Sequence, residues 1–293
     1  PDPGHCWNLD QKTDSTASSA VEPDRAAIEP KTLAASPVGL SEGRVTVLKV
    51  NGDQLSAVGS VTGLGKGERI RGVRFIDDMG YVITYQQTDP LYTIDLSDPT
   101  RPEVRGELKV LGYSAYLHPL DGNRLLGLGQ DGTEEGNTTG LQLSVFDVGN
   151  PDAPQRLDQV KLPSAWSDAE SDHHAFTMAG DLVLVPYSSW TNNASDANGR
   201  LAPEVYRDTF DAGVIAVRVD PSGQLGTPTT LRPIADGPVT FNSSKQQSPE
   251  IQRTTEAVPM RTIVQDGTIY TLTSTGIAAH SVDSLDRLTF SKF

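Results

Sequence analysis

Residues 70–110, IRGVRFIDDMGYVITYQQTDPLYTIDLSDPTRPEVRGELKV, read as four short strands in a row. The first run, 70–76, is apolar and β-branched, and Asp77, Asp78 and Gly80 then turn the chain. Residues 81–86 (YVITYQ) and 91–96 (LYTIDL) follow, parted by Asp89 and Pro90, and Ser97-Asp98-Pro99 closes the third run before 104–110. Each run has the alternation or the β-branched and aromatic content of a strand, and each boundary carries its own breaker. A four-stranded antiparallel unit of about 40 residues has the size of one β-propeller blade.

Outward from this stretch the unit recurs. Residues 114–162 contain strand-like runs at 114–117, 125–128, 141–148 and 155–162. YTIDLSDPTRPEVRGEL aligns with LSVFDVGNPDAPQRLDQV, so Asp95 falls on Asp147 and the two proline positions coincide. Pro ends the third strand and fixes the turn into an outermost strand, where a missing N–H is tolerated. A third unit spans about 173–231, with strands expected at 174–178, 182–187, 213–219 and 225–231 and a long polar insert at 188–211. Such inserts sit on one face of a propeller and carry binding functions. Residues 232–258 read as a connecting excursion, and 260–292 as a last, compact unit.

Ahead of the first unit, 44–50 and 55–61 form a hairpin across Asn51-Gly52, the outer half of a further blade. Residues 12–43 are rich in Ser, Ala, Pro, Asp and Glu without periodicity, a long loop or mobile arm, and only 5–9 (HCWNL) reads as a strand before them. The expected organisation is a polar N-terminal segment, 1–43, and a propeller domain, 44–293, of four full blades plus a partial one. The fold class is all-β, with no helix expected.

The 293 residues carry 24 Lys and Arg against 38 Asp and Glu, a formal net charge of −14. That excludes an ordinary nucleic-acid surface, which needs clustered cations, and simple docking to anionic lipid. The single cysteine, Cys6, excludes an internal disulfide framework. No apolar run is long enough to span a bilayer, and no signal peptide is visible. The start at Pro1-Asp2-Pro3-Gly4 reads as that of a mature or trimmed piece of something longer.

The sequence resembles the bacterial and archaeal family of secreted proteins with a C-terminal β-propeller domain distantly related to WD-40 repeats. The stretch from Gly67 to Leu120 carries the resemblance. So do TEEGNTTGLQLSVFDVGNPDAP, AESDHHAF and the closing RTIVQDGTIYTLTSTGIAAHSVDSL. The resemblance covers roughly 44–293. It implies an exported, extracytoplasmic protein of which this chain matches the C-terminal half to two-thirds, and it implies no particular activity and no catalytic residues.

The densest polar cluster is Glu170, Asp172, His173 and His174. Two imidazoles and two carboxylates can hold a divalent metal. On a strand, however, adjacent histidines point to opposite faces, so only one joins the carboxylates easily; the structural alternative is a histidine bonded to backbone at the blade start. Arg74, His118, His174 and Arg261 fall on inner strands, and their convergence on the channel makes a basic ring for a carboxylate or phosphate. The alternative is a channel that is polar because it holds water. Asp131 to Gly136 with Asn137 offers hard oxygen ligands for Ca²⁺, though without the spaced EF-hand pattern. Asp95 and Asp147 read as turn-capping residues. Trp166, Trp190, Tyr187 and Tyr206 lie in or near loops of the third unit and suit a glycan, peptide or partner protein, or packing under a long loop. No nucleophile elbow and no Walker or dinucleotide loop is present, and three glycosylation sequons are chance matches in a bacterial protein. The expected function is a non-catalytic, extracytoplasmic binding or scaffold module for a protein or cell-envelope ligand, with an N-terminal part of the same protein as a further partner. The alternatives are a metal-dependent hydrolase or lyase at the channel mouth, around His118 and residues 170–174, and a Ca²⁺-stabilised structural domain.

Overall fold

The computed structural model describes residues 42–85, 89–193, 207–234, 237–242 and 258–293. The expectations for Cys6, the 5–9 strand and Tyr206 lie outside these residues. A hairpin of β1 (Gly43–Asn51) and β2 (Gln54–Leu64) comes first. A four-stranded meander of β3 (Arg69–Ile76), β4 (Met79–Tyr85), β5 (Asp89–Asp95) and β6 (Glu103–Val110) follows. The second meander is β7 (Tyr113–Leu120), β8 (Arg124–Gly132), β9 (Thr138–Asp147) and β10 (Gln155–Pro163). The third sheet holds β11 (Ala165–Trp166), β12 (Thr177–Ala179), β13 (Leu182–Asn193), β14 (Arg207–Arg218), β15 (Thr229–Leu231) and β16 (Val239–Asn242). The last meander is β17 (Pro259–Gln265), β18 (Thr268–Thr273), β19 (Gly276–Ser281) and β20 (Arg287–Lys292).

Side-chain alternation explains why the sheets stack. Successive residues of a strand face opposite sides, and here each side belongs to a different seam. Val82 and Ile94 pack with Leu64 against the hairpin, while Tyr81 and Ile83 pack with Leu117, Leu125 and Phe146 of the second sheet. Leu126, Leu128 and Val145 turn the other way, onto Val183, Val185, Ile215 and Val217 of the third sheet. Leu182, Leu184 and Val214 meet Ile269 of the fourth. Middle strands covered on both faces must be apolar almost throughout, and β8 is buried along most of its length. Each such side chain contributes roughly 1.5–3 kcal/mol. The first strands of adjacent sheets lie together, β3 beside β7 and β12 beside β17, so they are the inner strands of a radial array.

The outer edges are joined by a repeated latch. A Cβ on Gly59 of β2 would lie 2.3 Å from the Pro99 carbonyl and 2.8 Å from Pro102 Cδ. On Gly106 of β6 it would lie 2.3 Å from the Pro151 carbonyl and 2.9 Å from Pro154 Cδ. The equivalence of β2 and β6 makes the first hairpin the outer half of a blade, as its sequence predicts. Asp95 Oδ1 accepts the Ser97 N–H at 2.9 Å, and Asp147 Oδ1 accepts that of Gly149 at 2.8 Å. Arg105 ties Asp95 to Asp152 of the next sheet.

The third unit departs from expectation. Residues 173–175 form a single 3-10 turn rather than the start of a strand, and Asp168–Glu170 forms another. The expected polar insert is entered and left by continuous strands: β13 and β14 stay paired out to Asn193 and Arg207. Trp166 and Trp190 stand on strands, β11 and β13, near the Ser167 turn and the outer end of the β13–β14 pair. β15 is only Thr229–Leu231, joined by an isolated bridge between Val219 and Leu225. The excursion after it contains β16, which pairs with the outer part of β14.

Candidate functional site

The polar groups of the inner strands meet because of where alternation aims them. Arg74 lies opposite Tyr81 in the β3–β4 register, so it shares the face that packs on the second sheet. There it comes close enough to Tyr116 and His118 of β7 to act on both electrostatically. Tyr116 and His118 are two residues apart and share a face; the Tyr116 hydroxyl lies 3.1 Å from His118 Nδ1, and both rings pack on Phe176 with centroids 5.0 Å away. Tyr116 also lies 6.4 Å from His173, nearly parallel to it.

The histidines are held by two capped turns. Ser167 accepts the Ala169 N–H, and Glu170 Oε1 returns to the Ser167 N–H at 3.0 Å, a reciprocal capping box. Glu170 also accepts from Gln130 Nε2 at 2.6 Å. Asp172 caps the second turn, Oδ1 accepting the His174 N–H at 3.0 Å and lying 3.1 Å from His174 Nδ1. Its other oxygen accepts from Arg261 of β17. A turn, unlike a strand, places successive side chains side by side, so His173 and His174 have ring centroids 4.1 Å apart.

Electrostatic reach joins Arg74 to Tyr116 and His118, and ring and hydrogen-bond contacts run on through His173, His174 and Asp172 to Arg261, drawing on strands of three sheets and the turn before β12. Of the four expected channel residues, Arg74 lies near His118, and His174 and Arg261 share Asp172. Tyr116, which links these groups, is absent from the sequence expectation, although its spacing from His118 on an inner strand signals it. The Ser167-x-x-Glu170 pattern likewise signals the cap.

Burial pushes the His118 pKa down from 6.5, and the Arg74 charge pushes it further. Burial raises Tyr116, with Arg74 opposing. The His174 N–H and ring hold the Asp172 carboxyl below the usual range, with Arg261 adding to the effect. Burial raises Glu170 against the Ser167 and Gln130 hydrogen bonds. Ligand atoms of Asp172, His173 and His174 lie within 4.8 Å of one another and can hold a divalent cation. Glu170, turned into its cap, stands outside this triplet.

Trp166 pairs with Ser188, two residues before Trp190, so the two indoles share one face of the third sheet, each about two-fifths exposed (44% and 40%). Trp166 immediately precedes the Ser167 cap, at the same end as the histidines.

Other candidate groups are engaged structurally. Asp131 pairs with Lys161 Nζ at 2.7 Å and accepts from Thr139 at 2.8 Å, and the loop after it closes through Gly136, whose carbonyl takes the Tyr85 hydroxyl. A cleft of about 640 Å³ lies at the far ends of the inner strands, lined by Leu120, Met178 and Leu225 among others. Its arginines are held within the fold, Arg124 by the Asp121 and Pro221 carbonyls and Arg218 by Asp181 and the Val282 carbonyl.

Antiparallel sheets stacked face to face with polar inner strands define a β-propeller. Residues 34–285 match the model of the family described as Beta propeller domain, and the chain belongs to that family. An uncharacterized protein of Methanocaldococcus jannaschii is 48% identical over 122 residues, 42% of this chain and 19% of that protein. One of Archaeoglobus fulgidus is 43% identical over 131 residues, 45% of this chain and 20% of that one. The matches therefore span about a fifth of these relatives. Among solved structures, BamB from Moraxella catarrhalis aligns over 87% of this chain and 67% of its own, with TM-score 0.44 and 11% identity. Apo AztD from Citrobacter koseri aligns over 86% and 57%, with TM-score 0.37 and 14% identity. Among the described residues no helix is long and apolar enough to cross a membrane.

Proposed function

We propose that the chain is a non-catalytic, extracytoplasmic binding module, its propeller domain spanning 44–293. It engages an acidic group of a protein or cell-envelope ligand at the inner-strand end that carries the histidines. The carrying observation is the gathering of Arg74, His118, His173, His174 and Arg261 with the single carboxylate of Asp172, in a chain whose overall charge is −14. Guanidinium and imidazole groups suit carboxylate and phosphate geometry, and the two indoles beside them supply apolar contact area. The extracytoplasmic assignment rests on the resemblance to exported propeller proteins.

Retention of the chain on immobilised cell-envelope material from its source organism tests this. Wild type is expected to be retained in a salt-sensitive way, and an Arg74→Gln/His173→Gln variant of unchanged melting temperature to pass through. Equal retention of both would remove the reading.

The Asp172, His173 and His174 triplet favours a second reading, a divalent-metal site at the same end. Against it, Arg261 and His174 already occupy the Asp172 oxygens. Elemental analysis after equilibration with Zn²⁺ separates the two. One ion per chain, lost in His173→Ala/His174→Ala, supports the metal; a metal-free wild type supports the binding module.

A further inference from the structure

A second polar cavity, about 370 Å³, opens on the seam between the third and fourth sheets, away from the histidine turns. Thr229, Thr230, Leu231 and Arg232 line it from the third sheet, and His280, Leu285, Asp286 and Arg287 from the fourth. His280 is 1% exposed, and neither ring nitrogen makes a hydrogen bond of ordinary geometry, although the Arg232 backbone lies near enough to act on the ring; Arg232 Nε is buried without a partner. Buried polar atoms without good partners are rare. Two residues of one lining thus carry nitrogens whose bonding a ligand can complete. Asp211 holds the Arg232 guanidinium from the other side through Nη2, at 3.0 and 2.9 Å. Arg287 is steadied by the carbonyls of Pro233 and Ile234, at 3.3 and 3.1 Å. The lining therefore brings two positioned guanidiniums and an imidazole against one carboxylate, that of the exposed Asp286.

We propose that this cavity is an oxyanion site, taking a small carboxylate or phosphate between Arg232, His280 and Arg287. Planar guanidinium donors match both anions, and burial strengthens charge-assisted bonds to them. The volume lies within the range of small-molecule pockets. Asp286 leaves room on the same ligand for a hydroxyl or amine that donates to it.

The test is calorimetric titration of the whole chain carrying Arg74→Gln/His173→Gln, in which the inner-strand site is disabled, with inorganic phosphate and, separately, with succinate, at constant ionic strength. Saturable one-to-one binding of one or both is expected, with a matching rise in melting temperature because the ligand binds only the folded state. The anion that binds more tightly gives the class. Adding Arg287→Gln is expected to weaken binding on the order of tenfold or more. A separate readout is the His280 ring, whose NMR resonances shift on titration. No saturable binding of either anion, full binding after Arg287→Gln is added, or an unmoved His280 ring would overturn the proposal. Loss of the envelope interaction with phosphate binding intact would remove only the reading of the inner-strand site.

Discussion

Tyr187 is buried, and its hydroxyl needs an acceptor, which Asp211 supplies at 2.6 Å. Burial and this carboxylate raise the phenol pKa to about 12, so it stays a donor at any ordinary pH. The same carboxylate holds Arg232, so the three side chains depend on one another unequally. Asp211→Ala strands a phenol and a guanidinium and is expected to cost about 2–4 kcal/mol. Tyr187→Phe leaves the Asp211–Arg232 pair intact and is expected to cost about 1 kcal/mol; denaturant unfolding that reverses this order would refute the network. Two imidazoles set the acid response. Burial above all, aided by the Arg74 charge at His118 and by the Arg287 charge at His280, where the Arg232 backbone opposes it, holds both below 6.5. Between 6.5 and the lower folded values the unfolded chain binds protons that the folded chain does not, so stability falls as pH drops below 6.5 and is flat above it. Asp95, Asp98, Asp172 and Asp220 have folded values below 3.8, so their contribution holds above 3.8 and is lost below it. In buffers free of phosphate and carboxylate, thermal melts of His280→Leu should show a smaller loss between pH 7 and 5 than wild type. An unchanged slope would mean that His280 is not held neutral.

The latch between neighbouring sheets belongs to the strand and its turn. Gly59 and Gly106 lie flat against the proline turn of the following sheet, where any Cβ meets backbone that cannot swing aside. Gly106→Ala and Gly59→Ala should each cost about 1–3 kcal/mol by overpacking. Gly226→Ala, whose Cβ would meet only the Arg218 carbonyl at an ordinary 3.5 Å, should be nearly neutral in the same unfolding assay. The proline turns that make this latch are plain in the sequence because the Asp–Pro and Asn–Pro spacing repeats, and the meanders follow from breakers between β-branched runs. The third unit carries weaker local signals. His174 to Met178 has the composition of a strand, but the Asp172 cap closes a 3-10 turn first and delays β12 to Thr177. The stacking of Tyr116 on His173 had no local signal of its own, since it depends on how two sheets pack and on no spacing within either.

Among the described residues, buried apolar clusters fill the seams between consecutive sheets, while the outer face of the fourth sheet carries exposed apolar side chains. Ile269 is fully buried against the third sheet, and Ile263, on the opposite face, is 64% exposed. Ile269→Ala should cost about 2–5 kcal/mol, and Ile263→Ala should stay within about 0.5 kcal/mol. Similar costs at both would mean that this outer face is covered in solution. The radial stacking also brings inner-strand groups from different sheets within electrostatic reach, and the inner-strand site depends on this most. Arg74 on the first four-stranded sheet and His118 on the second report that approach directly. NMR titration of His118 in wild type and in Arg74→Gln is therefore the most direct measurement. The stacked array predicts a His118 pKa below 6.5 that rises when the Arg74 charge is removed; a value at or above 6.5 that ignores the substitution would contradict it.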